Sequence, residues 1–392
     1  MNGLTARWAR QVDPTGGTVF FAAGLWPLLA VLAHSADGPA RAELAEAIGL
    51  PAGTAARHAQ DLLGALRRLP GVTAALGLWT RPEVAVSPAW SAALPAHVHQ
   101  ILPREGAQEL LDAWAVRHTD GAIESFPLTV DKDTELALAS AVNVRTDWLR
   151  PFTSDCLVPE TGAWADRCLV GLHRRTALLD RVAVAPDTPV GAVSELRVIG
   201  TGGIDVHLLV GEEDAAPGEV LAAGTGILHG RHARVTGAAL PFGTPGPGVT
   251  VSRRESLRPD PEVWVSVAAF TVSAAHDLLD DPDTFGLATA SQSDRGHFPG
   301  ITDRPPLAVQ AAAQEATATF GARGFRASAV TAIALAGASP PARPPYRVRE
   351  VAFTTDRPFG FLAVHRTSRL VLAAGWVDRP EEDTSFDHPL FG

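Results

Sequence analysis

One stretch toward the C-terminal end restricts the folds open to this chain more than any other feature. Residues 321–346 read GARGFRASAVTAIALAGASPPARPPY, small side chains followed by prolines, between segments that are well patterned. A long structureless connection inside a compact domain is uncommon and is usually functional. The first half is not linker-like: Ala, Val, Thr and Ile alternate as they do in a strand. The chain thus carries a loop that is able to become a strand.

With 392 residues, 46% of them apolar and 19% charged, the chain has material for a large core and is too apolar for disorder. A net charge of −10 without a basic stripe argues against nucleic acid as a partner. Lys132 is the only lysine, while Arg, Ala, Gly and Pro abound, a bias that suggests a GC-rich bacterial genome. Cys156 and Cys168 are too few for a zinc site and read as free thiols. Residues 19–33, preceded by Arg7 and Arg10, imitate a signal peptide. The run is short for a bilayer span and is interrupted by Gly24 and Pro27. It reads as a buried strand leading into a core helix, in a cytoplasmic protein with no membrane partner.

Helices are expected over residues 25–36, 40–48 and 55–68, with Gly49 and Pro51 ending the second. Strands are expected over 19–23, 73–79, 135–144, 262–272, 348–353, 359–365 and 369–376. The run at 135–144 is apolar on both faces, as in a central strand. Residues 105–126 hold a helix and a turn, 155–260 a series of strands, and 274–287 short helices; 307–320 suits strand or helix. No repeat or linker divides the chain, and no βαβ rhythm runs through it. The fold class is α+β, one domain over residues 1–392.

Several segments carry a family resemblance: VFFAAGLWPLLAVLAHSADGPARAELAEAIGL (19–50), LDAWAVRHTDGAIESF (111–126), LALASAVNVRTDWLRPF (136–152), HDLLDDPDTFGL (276–287), HFPGIT (297–302) and FTTDRPFGFLAVH (353–365), followed by LVLAAGWVDRP at 370–380. In this order they resemble the serpins, the serine protease inhibitor family. The resemblance implies three β-sheets with about nine helices and an exposed reactive-centre loop at about 324–347. In inhibitory members a protease cleaves the loop and stays acyl-linked while the hinge inserts as an extra strand. Carried onto this sequence, the hinge is Gly324, Phe325, Arg326, Ala327, Ser328 and Ala329, with Phe325, Ala327, Ala329, Thr331 and Ile333 facing inward. The scissile bond falls at Ala338–Ser339, with Arg347 as an alternative bait.

Two regions depart from the family. Its hinge usually follows glycine with Thr or Ser and then Glu; here stand Phe325 and Arg326, and overpacking by a ring costs about 1–3 kcal/mol. The hydrogen-bonded latch (shutter) beneath the sheet uses serines, an asparagine and a histidine in the family. The matching positions here are Ala22, Leu25, Ser140 and Gln314, of which the last two retain bonding groups.

Other candidates read as structure. His97 and His99, and His229 and His232, suit surface or turn positions better than metal sites. Trp26, Trp79, Trp90 and Trp264 suit core packing. No catalytic elbow or metal motif occurs, so neither cofactor nor metal is expected, and no catalytic residue is identified. The leading expectation is a monomeric, non-inhibitory serpin scaffold reused to bind or transform a small molecule. The alternative is a working inhibitor with Ala338 as bait for an elastase- or subtilisin-like serine protease.

Overall fold

The computed structural model describes residues 1–392 except 14–15, 95–97, 119–120, 122–124, 127–128, 132–133, 305, 327–344 and 384–392. The chain begins with α1 (Asn2–Ala9), β1 (Thr18–Phe20), α2 (Ala22–Ser35), α3 (Gly38–Ile48), α4 (Ala52–Arg68) and β2 (Val72–Thr80). It continues with α5 (Pro88–Ala93), β3 (His99–Ile101), α6 (Ala107–His118), β4 (Leu136–Val144), β5 (Thr146–Asp147), β6 (Thr153–Leu157) and β7 (Leu169–Thr176). Next come β8 (Val182–Thr188), β9 (Gly191–Ile199), β10 (Ile204–Val210), α7 (Pro217–Leu228), β11 (Val235–Thr236), β12 (Gly243–Gly246) and β13 (Val249–Ser256). The last part holds β14 (Glu262–Ala268), β15 (Phe270–Asp277), α8 (Pro282–Phe285), β16 (Ala311–Phe320), β17 (Gly324–Arg326), β18 (Tyr346–Thr354), β19 (Phe359–His365) and β20 (Val371–Val377).

These strands form three sheets. The innermost runs β1-β20-β19-β10-β9-β8-β11, and the outer one β12-β13-β18-β14-β7-β6. The third, here the receiving sheet, runs β3-β2-β4-β16-β17-β5, with β15 on the far side of β16. Every residue of β4 is buried, as its unbroken apolar run requires of a strand covered on both faces.

The 19–33 run is core. All of α2 except His34 is buried, and the helix sits under the receiving sheet. A Cβ on Gly24 would collide with Val142 of β4, so only glycine lets helix and strand approach this closely. In α4, Ala52, Ala55, Ala59, Leu62, Leu63 and Leu66 make one buried stripe at helical spacing. The second helix ends at Gly49 in the left-handed region, φ 68°. No helix among the described residues is long and apolar enough to cross a membrane.

Several expectations need correction. The run of strands over 155–260 is interrupted by helix α7, and of the short helices expected after residue 273 only α8 forms, the chain being strand β15 up to Asp277. Residues 262–272 are not one strand: the chain breaks at Ala269, leaving β14 in the outer sheet and β15 in the receiving sheet. The loop drawn over 324–347 begins and ends in strand, β17 at one side and β18 at the other. Arg347 is thereby removed as a bait, because it pairs with Glu255 inside the outer sheet. The ambiguous 307–320 segment is strand from Ala311 onward.

Candidate loop-insertion site

The two central strands of the receiving sheet part company along their length. β4 and β16 run parallel and pair only at Ala137–Ala139 with Ala311–Ala313. Above that point β17 enters beside β16, with Thr319 opposite Arg326 and Phe320 opposite Phe325. On its other edge β17 pairs with β5, Gly324 opposite Asp147 and Phe325 opposite Thr146. The hinge has therefore begun a strand inside the sheet. A Cβ on Gly324 would strike the Thr146 carbonyl, which explains glycine at this position. Ala327, Ser328, Ala329 and the bond Ala338–Ser339 lie outside the described residues.

Phe325 is 1% exposed and finds a space of its own size. Its ring lies 5.8 Å from that of Phe361, which in turn is 5.1 Å from Phe270. Phe270 stacks on Phe320 at 5.6 Å, and Trp148 lies 4.9 Å from Phe320. The expected overpacking is absent here because Phe325 joins an aromatic cluster behind the sheet. The turn before it is fastened by Trp148, whose indole Nε1 donates to the Gly321 carbonyl at 2.8 Å and whose backbone N–H donates to Arg323 at 2.9 Å.

The latch sits where β4 and β16 diverge. Gln314, 1% exposed, accepts the Phe21 N–H at 2.6 Å and donates to the Phe21 carbonyl at 3.2 Å. Its amide also donates to Ser140 Oγ at 3.0 Å. Ala22 and Leu25 are buried in the first turn of α2 without polar groups. The network is thus reduced in side chains but closed through backbone. His276 on β15, across from Gln314, bonds the Val19 carbonyl at 2.9 Å and packs edge-on against Trp8. Burial lowers its pKa, against the opposing effect of that bond. Sequence reasoning missed both His276 and the Phe21 backbone. The histidine lay in a segment read as short helices and as part of the family resemblance, and backbone partners leave no residue pattern.

The other candidates resolve as structure. His99 bonds Thr80 Oγ1 at 2.8 Å, while His229 bonds the Thr225 carbonyl at the end of α7; His97 lies outside the described residues. No group of three or more metal-ligating side chains occurs among the described residues. Cys156 and Cys168 are free. Trp26 and Trp90 are buried with their indole N–H groups bonded to Ile48 and Ser35, and Trp79 is buried too. Trp264 instead lines an open cleft of ≈ 880 Å³ on the outer sheet, with Ser266, Thr354, Glu160, Glu212 and Arg357. An apolar cavity between α2, α4 and α5 measures only ≈ 20 Å³.

Residues 4–160 match the family model for Serpin (serine protease inhibitor). The putative serpin-Z6C of Oryza sativa subsp. japonica is 27% identical, over 97% of this chain and 94% of its own length. Human plasminogen activator inhibitor 2 is 23% identical, over 70% of this chain and 61% of its own. Among solved structures, a thyroxine-binding globulin complex with thyroxine superposes with a TM-score of 0.70 at 16% identity, over 97% of both chains. Native protease nexin-1 with heparin gives 0.69 at 18% identity, over 96% of this chain and 98% of that one. With its opened receiving sheet, its strand-forming segment after Gly324 and these likenesses, the chain has the serpin fold, and its residues 4–160 match the serpin family model.

Proposed function

We propose that the protein traps a serine protease by loop insertion. The observation that carries this reading is β17: Gly324–Arg326 is already paired on both edges, with Phe325 seated. Further insertion extends a strand that exists, and avoids nucleating a new one. Gln314, bonded to Ser140 across the sheet, holds it closed further along the path the growing strand would take. In the reaction, the protease serine Oγ attacks the Ala338 carbonyl, and the amide to Ser339 breaks. A new amino terminus leaves at Ser339, and an ester links Ala338 to the protease. A small bait residue suits elastase- or subtilisin-like proteases. The free thiols support a reducing, cytoplasmic setting.

The test is incubation with subtilisin, then denaturing electrophoresis and thermal unfolding. The expected result is an SDS-stable adduct of summed mass and a large rise in the unfolding midpoint of the cleaved chain. Clean cleavage without adduct or rise would overturn the proposal. A second reading then takes its place: a non-inhibitory scaffold for a small molecule. It is supported by the thyroxine complex of a protein with this fold and by the ≈ 880 Å³ cleft. That cleft is open and largely polar, unlike the mostly apolar pockets that usually bury a ligand.

A further inference from the structure

The two cysteines of the chain stand at the edge of the outer sheet, where β6 turns back into β7. In that hairpin Cys156 lies opposite Val170, and Leu157 opposite Leu169. Successive side chains of a strand point to opposite faces, so Val170 and the residue two before it, Cys168, share the face of Cys156. The turn between them closes tightly. Asp166 takes the left-handed conformation, φ 62°, and its N–H donates to the Pro159 carbonyl at 3.1 Å. Aspartate is one of the few residues that visit this conformation. The chain thus returns on itself, and Cys168 comes back beside Cys156, close enough for the two thiols to share a hydrogen bond. Both residues are partly exposed.

The surroundings fix the backbone on which the thiols sit. The Asp383 N–H donates to the Cys168 carbonyl at 3.1 Å, and the Val170 N–H to the Glu381 carbonyl at 2.9 Å. Arg167 meets Glu382 at 2.7 Å. Sulfur atoms held side by side on fixed backbone need little rearrangement to be joined. The loop that the cysteines bracket is also a wall: residues 157–161 line the ≈ 880 Å³ cleft that holds Trp264. With no third cysteine in the sequence, a disulfide within one chain is necessarily this one.

We propose that Cys156 and Cys168 form a reversible disulfide site, closed by a hydroperoxide and opened by a dithiol, which staples this wall of the cleft. The Cys168 thiolate attacks a peroxide oxygen and the O–O bond breaks. Cys168 becomes a sulfenic acid, and the hydroxide that leaves takes up the proton its thiol released. The Cys156 sulfur then attacks the sulfenic sulfur, the S–O bond breaks, and the departing hydroxide takes the Cys156 proton as water. Two thiols are oxidised to one disulfide, and the peroxide is reduced to water. The order follows from what surrounds Cys156. Its bond to Cys168, then burial, then the charges of Cys168, Asp383 and Asp155 push its pKa up to about 11. Since the thiolate is the nucleophile, Cys156 waits while Cys168 reacts. Conversion of Cys168 to a neutral sulfenic acid removes a charge that opposed ionisation of Cys156, and the second step follows.

The site does not depend on the trapping reading. Intact mass spectrometry of the full chain, labelled with N-ethylmaleimide before and after hydrogen peroxide, tests it. The reduced chain is expected to take two labels. The oxidised chain takes none, weighs two hydrogen atoms less, runs as a monomer without reductant and regains both labels after dithiothreitol. Labels that survive peroxide, or that are lost to sulfinic acid or to disulfide-linked dimers, would overturn the proposal. A limiting dose of iodoacetamide is expected to mark Cys168 before Cys156; the reverse order refutes the assignment of the attacking sulfur. The staple itself is read by heating. The oxidised parent should unfold at a higher temperature than the reduced one, while Cys156→Ser and Cys168→Ser gain nothing from peroxide. A disulfide that forms without any rise would show that it fixes no wall.

Discussion

Gln314 uses both ends of its amide, and each end has a partner that would otherwise be buried and alone. Its carbonyl takes the Phe21 N–H, and its NH₂ serves the Phe21 carbonyl and Ser140 Oγ. Replacing it with leucine keeps the apolar volume but leaves the Phe21 N–H without an acceptor. Such a loss costs about 1–3 kcal/mol. Gln314→Leu is therefore expected to lower the unfolding free energy of the uncleaved protein by that amount, read as a lower urea midpoint, whereas Ser140→Ala costs about 1 kcal/mol or less. An unchanged midpoint in Gln314→Leu would mean that the amide does not bridge strand and helix. The same residue shows what a sequence can and cannot disclose. Ser140 and Gln314 were legible as bonding groups at the right positions. That their missing partners are replaced by the backbone of Phe21 was not, because any residue at that place offers the same N–H and carbonyl.

At the scale of elements, β17 is the informative one. Its central residue fills a space bounded by Phe361 and Phe320. Truncation in Phe325→Ala is expected to cost about 3 kcal/mol in the uncleaved chain, read by chemical denaturation, and Phe325→Leu less. No loss in Phe325→Ala would mean that the hinge strand is not seated in solution. The sequence marked Phe325 as a misfit because ring volume is visible in it while the receiving space is not. That space is assembled from Phe270, Phe320 and Phe361, spread over three strands. β4 was legible throughout because a fully buried strand is apolar at every position. The break at Ala269 was not, since EVWVSVAAFTV stays apolar while the chain changes sheets. Strand β12 was hidden too, since Gly243–Gly246 lies in a glycine- and proline-rich stretch that carries no strand pattern, yet it pairs with β13.

For the molecule as a whole, acid tolerance depends on a buried charge cluster on the innermost sheet. Glu195 is 3% exposed and receives His207 Nδ1 and Arg234 Nη1, each at 2.6 Å. Burial by itself would raise its pKa; the bonds and charges of His207 and Arg234 outweigh that and hold it down at about 2. A depressed carboxylate adds stability above its unfolded-state pKa, and that stability is lost as pH falls through the folded value. Thermal midpoints should thus fall between about pH 4.5 and pH 2. Glu195→Gln should flatten that fall while lowering the midpoint at pH 7, since breaking a buried pair costs about 3 kcal/mol. A pH profile identical to that of the parent would refute the assignment. A different consequence follows from β18, the strand just beyond the loop. It is paired with β13 over eight residues, from Val249–Phe353 to Ser256–Tyr346, and with β14 over five on its other edge. An uncut loop has both ends tied, and drawing it fully into the receiving sheet would mean stripping a strand out of the middle of another sheet. On the proposed trapping, the outer sheet is thus the safety of a cocked mechanism: the loop waits unspent for as long as the chain stays whole, and the moment of release belongs to whatever cuts it.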